Sequence, residues 1–277
     1  MAISYFIMVR HEPVQFRWLW KAIYSEDDAF CIHVDAKSPD SFASKIRAIV
    51  GDAGNVRWLP RRSLVGSRWS VVTAELEAMR LMLSEVGDWQ RWINLTGQDY
   101  PIKPIDQIRE SLGASTSNHI QCASFESLAE EERDSPHLGR RIYLEFGGKV
   151  HRTPLRLPFP SELNLEWKGS TWHMLTRSFC EWATTTPLSR AVAKSLRFSF
   201  CPDETFFQGL IMNGPFAETV DQQCGRLSLG PGPKTLTIRD LDEIRRSPCL
   251  FGRKFNHKVD GAVLHMLASE CYHASRA

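Results

Sequence analysis

The first hundred residues alternate between short apolar runs and segments in which apolar side chains recur with helical spacing. The apolar runs are Ile3–Val9, Phe30–Val34, Val56–Leu59 and Trp92–Leu95. Between them, apolar residues recur every three or four positions in Val14–Tyr24, Ser41–Val50 and Ser70–Val86, which is typical of one face of an α-helix. Repeated β–α–β units predict a mostly parallel central sheet with helices on both faces, and therefore an α/β fold.

The second half of the chain has a less regular pattern. Asn118–Ala123 has the pattern of a strand, and Glu126–Ser135 is an acidic segment that we expect to be exposed. Residues 137–168 are rich in Arg, Pro and Gly without periodicity, which predicts long loops that line or cover a site. The remaining helical patterns are Thr176–Thr184, Thr205–Met212 and Ile238–Arg246.

Length and composition favour one globular domain. The chain has 277 residues, of which 43% are hydrophobic and 24% charged, enough apolar material for a sizeable core. The Pro- and Gly-rich residues 230–233 are too short to link two domains. We therefore expect a single domain over residues 1–277.

Charge and apolar runs exclude two broad classes. A formal net charge of +2 argues against nucleic-acid binding driven by bulk charge. No segment approaches the roughly 18 consecutive apolar residues of a membrane span, so no transmembrane segment is expected. The N-terminal apolar run is followed by Arg10 and lacks a cleavage site, which indicates a strand rather than a signal peptide.

The cysteines bear on the cellular compartment. Seven of them are scattered along the chain without a C-x-x-C pair, which argues against a zinc site and against a disulfide framework. Small buried thiols in a reducing compartment explain this usage, and we expect a cytoplasmic protein.

Three polar residues follow predicted strands. They are His11, Asp35 and Asp99. Because parallel α/β sheets bind ligands at the carboxyl ends of their strands, we expect these side chains to converge on one crevice.

Two adjacent acids, Asp203 and Glu204, precede the predicted helix Thr205–Met212. Asp203 is expected to be its N-cap, because carboxylates complement the positive helix N-terminus. Glu204 has two possible roles: the same electrostatic one, or that of a general base within a crevice.

Basic residues near the C-terminus form a second group. Arg253 and Lys254 follow an apolar stretch, and Lys234 lies upstream. Cations between apolar residues are usually partly buried and ion-paired. The alternative is a diphosphate clamp, in which fixed positive charge stabilises a departing phosphate oxygen.

The sequence gives only a weak signal for a metal site. Mg²⁺ and Mn²⁺ prefer paired carboxylates, but Asp35 is followed by Lys37 where a second acid is needed. Asp240 and Asp242 have the spacing, yet they lie at a helix start, where acids complement the dipole. We expect no metal and no other cofactor, and no GxGxxG or Walker A pattern is present.

The aromatic candidate is Trp172, which follows the irregular Arg- and Pro-rich segment beside Gly169 and Ser170. Most tryptophans belong to the core, but this position suits stacking against a sugar face. His173 is expected to be structural.

Seven segments, in order, resemble one known family: the core-2/I-branching β-1,6-N-acetylglucosaminyltransferases, which include the peptide-O-xylosyltransferases (glycosyltransferase family 14). The segments are Val9–His11, Phe30–Ser38, Trp69–Leu76, Ile93–Lys103, Lys168–Trp172, Pro202–Phe207 and Leu250–Phe255. Each is weak alone, but together they span most of the chain.

The resemblance implies a GT-A-like domain with a nucleotide-binding half (residues 1–104) and an acceptor and catalytic half (residues 105–277). It implies inverting, metal-independent transfer of N-acetylglucosamine or xylose from a UDP-sugar to a glycan hydroxyl. Basic side chains, rather than a metal held by Asp-x-Asp, would neutralise the diphosphate.

The resemblance also implies roles for individual residues. Glu204 corresponds to the general base, Asp35 to the acid that contacts the nucleoside, and Val9 to the backbone position beside the uracil, with His11 in the same matching segment. Lys254 corresponds to the diphosphate-binding lysine. Its arginine partner has no clean match, and Lys234 is the best candidate, with Arg239 and Arg253 as rivals.

By the same resemblance, the residues expected to contact the sugar are Asp99 and Trp172. A tyrosine beside the nucleotide in the family corresponds to Gly66 here.

From the sequence we expect none of the anchor, stem and disulfides of the animal enzymes. This suggests a bacterial-type enzyme of surface polysaccharide synthesis or a catalytic domain of a longer chain, with possible peripheral membrane association through a lipid-linked acceptor. A nucleotide-sugar hydrolase and a non-catalytic sugar-binding relative are the alternatives.

Overall fold

The structure, a computed structural model, describes residues 1–127, 141–146, 149–156, 160–223, 225–230 and 234–274. The helices are α1 (Pro13–Ile23), α2 (Asp40–Val50), α3 (Trp69–Glu85), α4 (Ile105–Gly113), α5 (Arg177–Thr185), α6 (Pro187–Leu196), α7 (Phe206–Met212), α8 (Leu241–Arg246) and α9 (Ala262–Ala274). The strands of the first half are β1 (Ala2–Val9), β2 (Ala29–Val34), β3 (Val56–Trp58), β4 (Trp89–Thr96), β5 (Tyr100–Pro101), β6 (Asn118–His119) and β7 (Ala123–Ser124). Those of the second half are β8 (Arg141–Phe146), β9 (Lys149–Arg156), β10 (Trp167–Lys168), β11 (Met174–Thr176), β12 (Val220–Asp221), β13 (Arg226–Leu227) and β14 (Phe251–Gly252).

The central sheet has seven strands in the order β12-β6-β11-β4-β1-β2-β3. Strands β4, β1, β2 and β3 are mutually parallel, whereas β11 runs antiparallel to both β4 and β6. Parallel strands require crossovers on the faces of the sheet, and α1, α2 and α3 supply them.

Strand β1 shows why helices cover both faces. Tyr5 and Ile7 point into a core formed with α1, α2 and α4, while Phe6 points into another core formed with α3, α5, α6 and α7. A strand buried on both sides is apolar along nearly its whole length, which explains the continuous apolar runs. The predicted α/β class, with a mostly parallel sheet and helices on both faces, is confirmed; it is the layout implied for a GT-A-like domain.

The predicted loops over residues 137–168 are wrong in part. Strands β8 and β9 form an antiparallel hairpin there. The hairpin is held by Tyr143, whose N–H donates to the carbonyl of Phe198 at 2.8 Å and whose ring packs on Phe200. A two-stranded ribbon that buries one aromatic side chain leaves little apolar alternation in the sequence. Part of this stretch, and most of Glu126–Ser135, lie outside the described residues.

Other boundaries also differ. The predicted strand Asn118–Ala123 is divided between β6 and β7, and the predicted helix Ile238–Arg246 is a 3₁₀ turn followed by α8. The sequence patterns missed α4, α6 and α9.

Four buried cysteines, Cys31, Cys122, Cys180 and Cys201, are free thiols. Burial raises the pKa of Cys122 and of Cys201 to about 12, which leaves little reactive thiolate at neutral pH. Within the described ranges, no helix is long and apolar enough to cross a membrane.

Candidate active site

A cavity of about 690 Å³ opens at the carboxyl ends of β1, β2 and β4, as expected for a parallel sheet. Predicted site residues in its wall are Val9, His11, Asp35, Trp172, Glu204, Arg253 and Lys254. Both predicted halves of the chain contribute to the wall, although the division at residue 104 stays a prediction.

The end of the cavity at which the nucleoside is predicted to bind lies where β1 and β2 terminate. The N–H of Asp35 donates to the carbonyl of Val9 at 3.0 Å, which joins the two strand ends. The Asp35 carboxylate is buried, accepts the Lys37 N–H at 2.8 Å and lies 3.7 Å from the Lys37 ammonium. Gly66 also lines the cavity, and a Cβ built there meets no described atom within 4 Å. There is thus open space at position 66, to which the resemblance assigns a tyrosine in the family.

A pair of acids forms one wall. Asp203 and Glu204 belong to the 3₁₀ turn Pro202–Glu204 and both line the cavity. The prediction that Asp203 caps the following helix is wrong, because α7 follows Thr205 and the Thr171 hydroxyl donates to Asp203 Oδ2 at 2.9 Å. We call Asp203 and Glu204 the acidic wall.

The environment of the acidic wall favours protonation. Burial raises the pKa of Asp203 to about 6. Burial and then the charge of Asp203 raise the pKa of Glu204 to about 7, against the opposing charge of Lys168. A carboxyl group that titrates near neutral pH suits general acid–base catalysis.

The loop before β11 is fastened to the acidic wall. The Gly169 N–H donates to the Glu204 carbonyl at 2.9 Å, and the Gln208 amide donates to the Ser170 carbonyl at 2.9 Å. A Cβ at position 169 would lie 1.7 Å from the carbonyl oxygen of Gln121, so only glycine fits this close approach.

A buried polar cluster holds the same loop from the sheet side. The Asn94 amide donates to the Thr171 carbonyl at 2.8 Å and accepts the His173 N–H at 3.1 Å. Glu75, itself buried, accepts hydrogen bonds from Asn94 at 3.2 Å and Trp92 at 2.9 Å, and contacts His173 Nε2 at 2.8 Å. His173 is thus part of the structural support, in agreement with its prediction.

A second group of side chains at the site is positively charged. Arg226 Nη1 lies 2.7 Å from Asp99 Oδ1, and Arg253 Nη1 lies 3.8 Å from the same oxygen. Both guanidinium groups lie near the Trp172 ring, with carbons 5.0 and 4.3 Å from its centroid. Lys254 follows in the cavity wall, and burial and Arg253 lower its pKa. We call Arg226, Arg253 and Lys254 the basic cluster.

The basic cluster changes the interpretation of two predicted sugar contacts. Asp99 is fully buried and does not line the cavity, because it compensates the two arginines. Trp172 lines the cavity, yet arginine groups lie near its ring, so stacking on a sugar stays a prediction. One carboxylate facing two guanidinium groups and one ammonium leaves a net positive charge beside the cavity, which suits an anionic ligand.

Arg226 is the residue that the sequence patterns missed. It lies on β13, and its Nη2 also donates to the Asn94 carbonyl at 2.8 Å. A single arginine without a surrounding motif has no sequence signal, and only the pairing of β13 with β14 brings it beside Arg253.

The structure does not bring Lys234 to the cavity. Its ammonium lies 2.6 Å from Asp240 Oδ1, and its side chain is half exposed. Asp240 also forms a capping box with Thr237, so this acid has a structural role. The rival candidate Arg239 is exposed, whereas Arg253 lines the cavity.

The described residues contain no group of three or more His, Cys, Asp or Glu side chains placed to hold a metal ion.

Comparison with known proteins places the chain among glycosyltransferases. The model of the Core-2/I-branching enzyme family matches residues 3–237. A rat β-1,3-galactosyl-O-glycosyl-glycoprotein β-1,6-N-acetylglucosaminyltransferase 3 is 28% identical over 202 residues, which cover 71% of this chain and 44% of the relative. A human β-1,3-galactosyl-O-glycosyl-glycoprotein β-1,6-N-acetylglucosaminyltransferase is 28% identical over 205 residues, 73% of this chain and 46% of the relative. The chain thus matches less than half the length of these relatives.

Solved structures of more distant similarity include mouse xyloside xylosyltransferase 1, with a TM-score of 0.46, 12% identity and coverage of 91% of this chain and 97% of that one. The galactosyltransferase LgtC has a TM-score of 0.45 at 10% identity, with coverage of 98% and 96%. The match of the family model to most of the chain confirms the predicted family: this protein belongs to the Core-2/I-branching enzyme family.

Proposed function

We propose that the protein is an inverting, metal-independent glycosyltransferase that moves a sugar from a UDP-sugar to a hydroxyl of a glycan acceptor. The observation that carries this proposal is one cavity lined both by an acid whose pKa is raised to about 7, Glu204, and by two cations, Arg253 and Lys254. Sugar transfer needs both groups, because a proton leaves the acceptor while negative charge appears on the departing diphosphate.

The bond changes balance without a further reactant. The acceptor oxygen forms a bond to the anomeric carbon from the face opposite UDP, and its proton passes to Glu204. The bond between the anomeric carbon and the diphosphate oxygen breaks, and its electron pair leaves with UDP. Attack from the opposite face converts an α-linked donor into a β-linked product.

The basic cluster takes the role of a diphosphate clamp. Arg253 and Lys254 line the cavity, and Arg226 holds Asp99 and the Trp172 ring behind them. Fixed positive charge in a partly buried site stabilises a leaving oxyanion by about 3–4 kcal/mol per good donor. This arrangement supports transfer without a metal ion.

The donor sugar is N-acetylglucosamine or xylose. The names of the curated relatives favour N-acetylglucosamine. A role in polysaccharide synthesis in the cytoplasm, on a lipid-linked acceptor at the membrane surface, is the setting we propose.

Thermal denaturation with nucleotide-sugars tests the donor. In the presence of EDTA, UDP-N-acetylglucosamine or UDP-xylose should raise the melting temperature, whereas GDP- and CMP-sugars should not, since a ligand stabilises only the state that binds it. Equal stabilisation by all three nucleotides, or loss of the UDP effect in EDTA, contradicts the proposal. UDP release that does not depend on an acceptor would instead identify a nucleotide-sugar hydrolase.

A further inference from the structure

One buried histidine at the nucleoside end of the cavity has no role in the chemistry described above. His33 lies on β2, is 1% exposed and nevertheless lines the cavity. Its Nδ1 has no hydrogen-bond partner in the part of the chain that the structure describes. A buried polar atom without a partner is costly unless a ligand satisfies it.

The hydrogen bonding of the ring determines what Nδ1 offers. The Arg62 N–H donates to His33 Nε2 at 3.2 Å, so Nε2 carries the lone pair. Burial, together with Arg62 and Arg61 and against Asp35 and Glu77, lowers the pKa of His33, which keeps the ring neutral. A neutral ring that accepts at Nε2 carries its proton on Nδ1. His33 therefore presents one N–H donor to its surroundings.

Apolar side chains share the cavity wall with His33. Met8 is the strand partner of His33 on β1, and Met8, Leu64 and Val71 all line the cavity. These apolar groups can cover the faces of a nucleobase, while the Nδ1–H of His33 can donate a hydrogen bond to its edge.

The register along β2 indicates which edge. His33 and Asp35 are two residues apart along β2 and its end, so their side chains point to the same face of the sheet. They are separated by about 7 Å along the strand. The resemblance puts the nucleoside at Asp35. A pyrimidine whose ribose lies beside that carboxylate, and which extends back along the strand, brings its 4-position toward His33.

We propose that His33 Nδ1 donates to the 4-oxo group of the donor's uracil and is the residue that selects UDP over CDP. This inference rests on the proposed function, because it assumes that the cavity binds a pyrimidine nucleoside diphosphate. Uracil carries an acceptor at position 4, whereas cytosine carries an amino donor there, which faces the donor of His33. Leaving two donors opposed and buried should cost roughly 10–100-fold in affinity, which corresponds to about 1.4–2.8 kcal/mol.

Two substitutions separate base recognition from a structural role. His33→Asn keeps an N–H near the position of Nδ1 and loses the acceptor for Arg62. His33→Gln keeps an acceptor near the position of Nε2 and loses the donor at Nδ1. Calorimetric titration of each variant and of the wild type with UDP and CDP gives the ratio of affinities.

The wild type should bind UDP about 10–100-fold more tightly than CDP. His33→Asn should keep most of that ratio, and His33→Gln should bring it to within about threefold, mainly through weaker UDP binding. The reverse order, with Gln preserving the ratio and Asn losing it, overturns the proposal, because it follows from the Arg62 contact alone.

The wild type also provides a test without substitution. The diphosphate of the 4-deoxy pyrimidinone riboside, which lacks the 4-oxygen, should bind about tenfold or more weakly than UDP. Equal binding of UDP, CDP and this analogue overturns the role of His33 but leaves the proposed function standing. Absence of UDP binding altogether contradicts the proposed function itself.

Discussion

The acidic wall and two members of the basic cluster, Arg253 and Lys254, line the same cavity, but the two groups are built in different ways. Asp203 and Glu204 are neighbours in one 3₁₀ turn, and burial raises the pKa of both toward neutrality. The basic cluster joins β13 to the segment after β14, and Asp99 compensates part of its charge. The acidic wall can therefore gain and lose a proton near neutral pH, whereas the arginines keep their charge. In the proposed reaction, the acidic wall takes the proton of the acceptor hydroxyl, and the constant positive charge of the basic cluster stabilises the leaving diphosphate.

The largest expected effect is a loss of turnover without a loss of UDP binding, which distinguishes the role of the acidic wall from that of the basic cluster. Glu204→Gln removes the proton acceptor and leaves the basic cluster intact, so turnover should fall by about 10²–10⁴-fold while UDP affinity changes by less than about threefold. Steady-state kinetics and calorimetric UDP titration measure the two quantities. The exposed Glu218 provides the matched control, Glu218→Gln, which should retain wild-type turnover. Near-normal turnover of Glu204→Gln would remove Glu204 from the mechanism.

A smaller effect is expected from the opposite side of the cavity. Lys254→Ala removes a cavity-lining cation and should weaken UDP binding by about 10–100-fold, because hydrogen bonds to charged groups contribute about 1.5–3 kcal/mol. Lys234→Ala is the control, since the Lys234 ammonium pairs with Asp240 outside the cavity lining. If Lys234→Ala weakens UDP binding and Lys254→Ala does not, the assignment of the clamp is reversed.

The two groups also differed in how far the sequence could reveal them. The acidic wall is one contiguous Pro-Asp-Glu triplet before a helical pattern. This pattern leaves two roles open for Glu204, and the family resemblance is what favours that of a general base. The basic cluster depends on strand pairing between distant segments: Arg226 has no motif of its own, and Lys234 was included although its partner is Asp240. A local sequence pattern predicts which residues are neighbours within one turn or helix. It does not predict which charged residues are brought together when distant strands pair.

The fold shows the same division. Strands β1, β2 and β4 are buried on both faces, and their continuous apolar runs made them easy to predict within a few residues. The β8–β9 hairpin buries Tyr143 against Phe200 while most of its described side chains are exposed. Its strands are stabilised by the contacts of Tyr143 with Phe198 and Phe200 and by a ladder of backbone hydrogen bonds, which the periodicity of the sequence does not reveal.

The coupling within the acidic wall gives a third prediction. A general base must be ionised, so the wild-type kcat/KM should fall as pH drops below about 7, the raised pKa of Glu204. Asp203→Asn removes the negative charge that helps to raise this pKa, while Lys168, which lowers it, remains. The acidic limb of the pH profile should therefore move to lower pH, and activity at pH 8 should change by less than about tenfold. An unchanged limb, or one moved to higher pH, contradicts the coupling of the two acids.

The smallest expected effect is on stability, and it also distinguishes the two groups. Because the pKa of Glu204 is raised from 4.5 to about 7 in the folded protein, the folded state binds more protons than the unfolded state between these values, and the free energy of unfolding falls as pH rises through that window. Glu204→Gln removes this dependence, so its melting temperature at pH 8 should exceed that of the wild type, by roughly 2–4 °C for each kcal/mol relieved. The gain should shrink at pH 5, where the wild-type carboxyl is protonated. Lys254→Ala keeps the Glu204 carboxyl and should therefore show no such pH-dependent gain, and scanning calorimetry at the two pH values measures both variants. A gain of equal size at pH 5 and pH 8 would mean that packing, rather than the buried charge of Glu204, sets the difference.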